Sequence, residues 1–229
     1  MVTISSAENK PAKNYIAFFD LDRTLIAENS GAAMVRQAYK KGMMGRSDLI
    51  KAIYLSILYR LNLKDTIKII DDMVAWVAGL PEKAILELSA EVAENILIPS
   101  IHSEVQAELN YHREKNAKVV ILSSALKPVC LGIADYLGMD DVLCSDLEVV
   151  NGHYTGLPKG RLCFGEEKAS RLKDYCEINN TTEEESWCYG DSVADIPVLR
   201  SVGHPICINP DKKLNKFALG KGWKAYQWH

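Results

Sequence analysis

Four short segments, YIAFF (Tyr15–Phe19), KVVIL (Lys118–Leu122), SWCYG (Ser186–Gly190) and PICIN (Pro205–Asn209), are apolar without the in-out alternation of a half-exposed strand. Strands of that kind must be covered on both faces, which requires helices above and below a parallel sheet. The stretches between them supply those helices. Apolar residues recur at helical spacing over Ser103–Asn116, over Pro128–Met139 with a stop at Gly138, over Glu166–Ile178 and over Ala194–Val202. The reading is an α/β protein with a Rossmann-like, doubly wound parallel sheet. Asp146–Gly156 breaks the pattern as a hairpin, since Asn151-Gly152 suits a type I′ turn.

From Ser30 to about Pro99 no strand pattern occurs. Helical periodicity runs through Ala32–Tyr39, Leu49–Leu61, Thr66–Val77 and Glu82–Leu97, punctuated by Gly42, Gly45, Asn62 and Gly79-Leu80-Pro81. The chain therefore divides into a core of residues 1–28 and 99–229 and a helical cap domain of residues 29–98, inserted after the first strand. At 229 residues it is long enough for one such core with its insert.

In a doubly wound sheet, ligands bind outside the carboxyl ends of the strands. Asp20 and Asp22 follow the first strand, Ser123 the second and Asp191 the third, while Lys168 opens a helix and Asp195 lies four residues past Asp191. Acids gathered at one rim need a counter-charge. A hard divalent cation that also accepts a substrate phosphate provides it, and Mg²⁺ fits, with Asp20, Asp22 and Asp191 as its carboxylates. By position, Asp20 is the nucleophile toward phosphorus, and Asp22 the acid that protonates the leaving alcohol and then the base toward water. Ser123 and Lys168 hold the phosphoryl oxygens. Asp195 orients groups behind the metal, and Thr24 fixes the turn. The plain alternatives are an Asx turn for the Asp pair, a helix cap for Ser123 and a solvated lysine at 168.

DLDRTL (Asp20–Leu25), ILSSA (Ile121–Ala125), Lys168 and GDSVAD (Gly190–Asp195) resemble, in order, the four motifs of the haloacid dehalogenase (HAD) superfamily. The segment from Lys118 to Asp195 is similar to the phosphoserine-phosphatase-like branch, known as subfamily IB. The resemblance implies a Rossmann-like core, a C1-type cap, an aspartyl-phosphate intermediate and Mg²⁺ dependence. It implies a phosphomonoester phosphatase acting on a small phosphorylated metabolite, and equally a phosphotransferase or phosphomutase that uses the same intermediate. The acid at position 22 favours phosphate esters over the dehalogenase branch. Three departures bear on the substrate: Asn29 stands where phosphoserine phosphatases carry a glutamate toward the substrate amine, Ser123-Ser124-Ala125 replaces Ser-Gly-Gly, and Ala194-Asp195 replaces Asn-Asp.

The remaining features limit the partners. A net charge of -3 argues against nucleic acid. Six cysteines without metal-ligand or Cys-x-x-Cys spacing read as reduced, buried thiols of a cytoplasmic protein, and the histidines match no ligand spacing. The first fourteen residues contain no secretory apolar run, and no stretch is long enough to span a bilayer. Within Gly31–Ile70, eight basic residues face only Asp48 and Asp65, a local charge of +6. With the apolar run LIKAIYLSILYRLNL, this raises a further alternative, a non-catalytic module that binds anionic lipid surfaces through its basic cap.

Overall fold

The computed structural model describes residues 15–61 and 72–229. Six parallel strands form the central sheet: β1 (Ile16–Phe19), β2 (Lys118–Leu126), β3 (Asp141–Ser145), β6 (Trp187–Gly190), β7 (His204–Ile208) and β8 (Lys224–Tyr226), in the spatial order β3-β2-β1-β6-β7-β8. The chain lays strands outward from β1 on one side, then returns to β1's other edge and winds the opposite way. The switch point therefore falls between β1 and β6. The doubly wound parallel architecture expected from the four apolar segments is present. β4 (Leu147–Val150) and β5 (His153–Pro158) form the separate hairpin, with Asn151 at φ 51° and Gly152 at φ 75°, the left-handed pair a type I′ turn needs.

Alternate residues of the strands enter two apolar layers. Ala17, Phe19, Val119, Ile121, Tyr189, Ile206 and Ile208 face one side; Ile16, Phe18, Val120, Leu122, Cys188 and Cys207 face the other. The second layer is closed by Leu172 and Cys176 of the helix Glu166–Ile178, Val198 and Leu199 of Ile196–Arg200, and Leu214 and Ala218 of Lys212–Lys221. Onto the first pack Leu109 of the helix Val105–Glu114 and Ile133 of Lys127–Leu137, together with Met34 of α1 (Ser30–Lys40) and Leu88 of the helix Glu82–Val92. The helical segment after β1 thus shares a core with one face of the sheet. Arg46–Leu61 forms the next helix, α2.

Several boundaries move for local reasons. The helix expected over Glu82–Leu97 is α-helical to Val92 and widens into a π turn over Ala93–Leu97, ahead of Pro99, which has no N–H to continue the ladder. Part of the helix expected over Thr66–Val77 lies outside the described residues, and Ala75–Val77 is a 3₁₀ turn. Pro197 sits in the first turn of the helix after Asp195, a position that favours a start at Ile196; the helix runs five residues to Arg200. β3, β8 and the helix Lys212–Lys221 were not expected. β8 is exposed at every residue and joins the sheet through backbone pairing with β7, so its side chains carry no strand signal.

Candidate active site

The loops after β1 and β6 meet at the switch point. The Asp20 N–H donates to the Tyr189 carbonyl at 3.0 Å, carrying the β1–β6 ladder one residue past β1 and setting Asp20 beside the end of β6. Gly190 closes β6. A Cβ there would lie 2.9 Å from Asp195 Cβ and Cγ, so only glycine lets the Asp195 carboxyl fold in behind the strand end. Oxygens of Asp20, Asp191 and Asp195, all buried, lie within 4.8 Å of one another.

Lys168 enters this cluster from the first turn of the helix Glu166–Ile178. Its Nζ donates to Asp20 Oδ1 at 2.8 Å and to Asp195 Oδ1 at 2.6 Å, with the lysine 4% exposed. A cation at a helix N-terminus opposes the helix dipole, and burial opposes the charge itself. The two carboxylates outweigh both, and the Lys168 pKa is pushed up despite the desolvation. On the acids the balance runs the other way. Burial first, then repulsion from Asp195 and Asp22 against the pull of Lys168, raises Asp20 to about 7; burial with repulsion from Asp20 and Asp195 raises Asp191 to about 9. One ammonium does not neutralise three carboxylates. An all-oxygen, anionic donor set of this kind fits a hard divalent cation.

Asp22 lies outside the set of oxygens that fall within 4.8 Å of one another, and its own hydrogen bonds run to the start of α1. Its Oδ1 accepts from Ser30 N–H and its Oδ2 from Asn29 Nδ2, each at 2.9 Å, at the start of α1. The third carboxylate in the cluster is instead Asp195, whose Oδ2 accepts from Ser192 N–H at 3.2 Å and pairs with its hydroxyl at 3.1 Å. Desolvation raises the Asp22 pKa, with Ser30 pulling against it. Ser123 is buried at the same sheet edge, two residues beyond the Phe19↔Ile121 pairing, where β2 loses register with β3 between Leu122 and Leu126. Its Oγ accepts from Ala125 N–H at 3.3 Å. Thr24 is fully buried in the turn, its N–H donating to Leu21 O at 3.3 Å and its hydroxyl without a partner among the described residues.

Two contributors escaped sequence reasoning. Arg23 holds φ at 61°, a left-handed conformation costly for a side-chain-bearing residue, and its charge partly offsets the upward pKa shifts of Asp22 and Asp191. Asp211 caps the helix Lys212–Lys221 through Lys213 N–H (2.8 Å) and Leu214 N–H (2.7 Å), accepts from Val193 N–H at 3.2 Å, and donates its own N–H to Asp191 O at 2.8 Å. An Asp directly before a basic helical start was the available signal.

A parallel α/β sheet with an acidic cluster and a buried lysine at its switch point is an arrangement able to hold a divalent cation beside an anionic substrate. The chain belongs to the haloacid dehalogenase-like hydrolase family, whose model matches residues 17–200. Among relatives, it is 27% identical over 231 residues to the inhibition of morphological differentiation protein of Streptomyces azureus, covering 99% of this chain and 83% of that one. It is 26% identical to a histidinol-phosphatase of Neisseria meningitidis (91% and 96% covered) and 28% identical to a phosphoserine phosphatase of Lactococcus lactis (85% and 84%). Its fold is similar to the crystal structure of a protein of unknown function from Bordetella pertussis Tohama I, with a TM-score of 0.84, 23% identity and 93% and 98% of the two chains covered.

Proposed function

We propose that the protein is a Mg²⁺-dependent phosphatase of small phosphomonoesters that works through a phosphorylated Asp20. The observation that carries this reading is the Lys168 ammonium bridging Asp20 and Asp195, with Asp191 in the same cluster. Asp20 and Asp191 would hold the cation, with Asp195, engaged by Lys168 and Ser192, behind them; when bound, the cation offsets the repulsion between an anionic nucleophile and an anionic substrate. Lys168 orients the Asp20 carboxylate and meets the phosphoryl charge, and the Ser123 hydroxyl adds a donor at the same edge. Asp22 delivers a proton to the leaving alcohol and later takes one from water.

Phosphoserine and histidinol phosphate, the substrates named for two relatives, are both phosphate esters of a primary alcohol next to an amine. Primary-alcohol phosphates are therefore the substrate class to test first. Residues 29–98 act as the cap over a core of 1–28 and 99–229. Two paired crossings support that division: Ala27 N–H to Ser100 O at 2.8 Å and His102 N–H to Leu25 O at 3.1 Å. All six cysteines are buried and unpaired, which supports a reducing, cytoplasmic setting.

Phosphate release should be measured over a panel of phosphorylated metabolites with Mg²⁺ and with EDTA. Release without any acceptor alcohol separates hydrolysis from phosphotransfer. Asp20→Asn is expected to lose several orders of magnitude in turnover, on the scale of a lost nucleophile; full turnover in that variant would overturn the reading.

A second reading has its own observation. Ile50, Ile53 and Tyr54 of α2 are 67%, 52% and 53% exposed at one helical spacing, beside exposed Arg46 and Lys51. An apolar stripe edged by cations suits an anionic lipid surface. Sedimentation with anionic vesicles should show salt-sensitive binding that Ile53→Glu removes; absence of binding at low salt ends this reading. No helix among the described residues is long and apolar enough to cross a membrane.

A further inference from the structure

Asn29 uses the two ends of one amide for two purposes. Its Oδ1 accepts from Ala32 N–H at 2.8 Å and caps α1, while its Nδ2 donates to Asp22 Oδ2 at 2.9 Å. The next residue, Ser30, donates its N–H to Asp22 Oδ1 at 2.9 Å. Both oxygens of Asp22 are thereby tied to the first turn of α1, the helix with which the cap segment begins. A helix cap alone does not call for asparagine. Aspartate caps as well, but it has no proton to donate and would set a second negative charge against Asp22.

We infer that Asn29 is a positioning residue for Asp22, aiming the acid at the leaving-group oxygen and coupling that aim to the seating of α1. The inference rests on the phosphatase reading and assigns a task to a position that the resemblance would otherwise give to substrate amine recognition. In the step concerned, a bond forms between an Asp20 oxygen and phosphorus, the bond from phosphorus to the alcohol oxygen breaks, and the Asp22 proton passes to that oxygen. In the next, water oxygen bonds to phosphorus, the bond to Asp20 breaks, and Asp22 recovers a proton from the water. Only the first step is sensitive to how badly the leaving group needs a proton. Alkyl oxides need one, whereas p-nitrophenolate leaves without it.

The test is kcat/KM for ethyl phosphate and for p-nitrophenyl phosphate, measured with Mg²⁺ on wild type, Asn29→Asp, Asn29→Ala and Asp20→Asn. The ratio of the two constants within each variant cancels any loss of folded protein. Expected is a fall in the ethyl-to-p-nitrophenyl ratio of about tenfold or more in both Asn29 variants, a fraction of what general acid catalysis contributes. Asn29→Asp keeps the cap and should still show that fall. An unchanged ratio in Asn29→Asp overturns the inference and leaves Asn29 a helix cap. Full activity in Asp20→Asn, or no hydrolysis of either ester by wild type, overturns the phosphatase reading itself, and this inference falls with it.

Discussion

Lys168 makes the charge balance of the site. It is the third residue of its helix, its ammonium sits between two buried carboxylates, and nothing in its local sequence separates it from Lys159 or Lys173. Breaking a buried ion pair leaves the partner uncompensated, so Lys168→Met is expected to destabilise the protein by about 3 kcal/mol as well as to abolish turnover, read from urea unfolding at neutral pH. Gly190 tests the same packing from the other side. With a Cβ 2.9 Å from Asp195, Gly190→Ala should displace that carboxylate and lower kcat by about tenfold while the far-UV spectrum stays unchanged. The carboxylate cluster makes a third prediction: Mg²⁺ should raise the melting temperature, as any ligand that binds only the folded state does, and Asp191→Asn should remove most of that increase.

At the scale of elements, legibility followed side-chain demand. The central stretches of strands β1, β2, β6 and β7 are covered on both faces, so those stretches had to be apolar, and they could be found without coordinates. The hairpin was legible because a type I′ turn demands positive φ at two positions and Asn-Gly meets that. β8 places no such demand, being held by backbone bonds at the sheet edge. The helix Lys212–Lys221 hides its role in a single residue, Asp211, whose carboxylate caps it and whose N–H holds the loop carrying Asp191. Asp211→Ala should cost about 1 kcal/mol in stability, the usual loss of a cap, and reduce kcat more than a remote cap deletion would.

Across the whole molecule, a buried polar chain ties the sheet to the helix Val105–Glu114. The Tyr15 hydroxyl meets His112 Nδ1 at 3.0 Å, His112 Nε2 meets the Tyr189 hydroxyl at 2.7 Å, and that hydroxyl reaches Glu108. Phe19, Tyr111 and Trp187 ring the imidazole edge-on. Burial, with Lys115 adding to it, lowers the His112 pKa to about 4 from an ordinary 6.5. The unfolded chain therefore binds a proton that the folded one refuses. This contribution to stability is complete above pH 6.5 and declines as pH falls toward 4, by about 3 kcal/mol in all. Asp20, raised to about 7, works in the opposite sense, since its folded form holds its proton to higher pH. Comparing wild type with His112→Gln cancels the acids, and the stability gap between the two should narrow on acidification from pH 7 to 4.5.

The sequence by itself determined the parallel α/β class and named polar residues at the strand ends as candidates for chemistry, because burial on two faces and polar side chains at strand ends both leave marks on local composition. Which carboxylates share a centre was decided only in three dimensions. Asp22 lies two residues from Asp20 yet turns to α1, while Asp195 comes from far along the chain and takes Lys168 with Asp20. The reason is that strand order around the β1/β6 switch point, and the direction each loop leaves it, depend on how the whole sheet packs, and no local stretch of sequence encodes that.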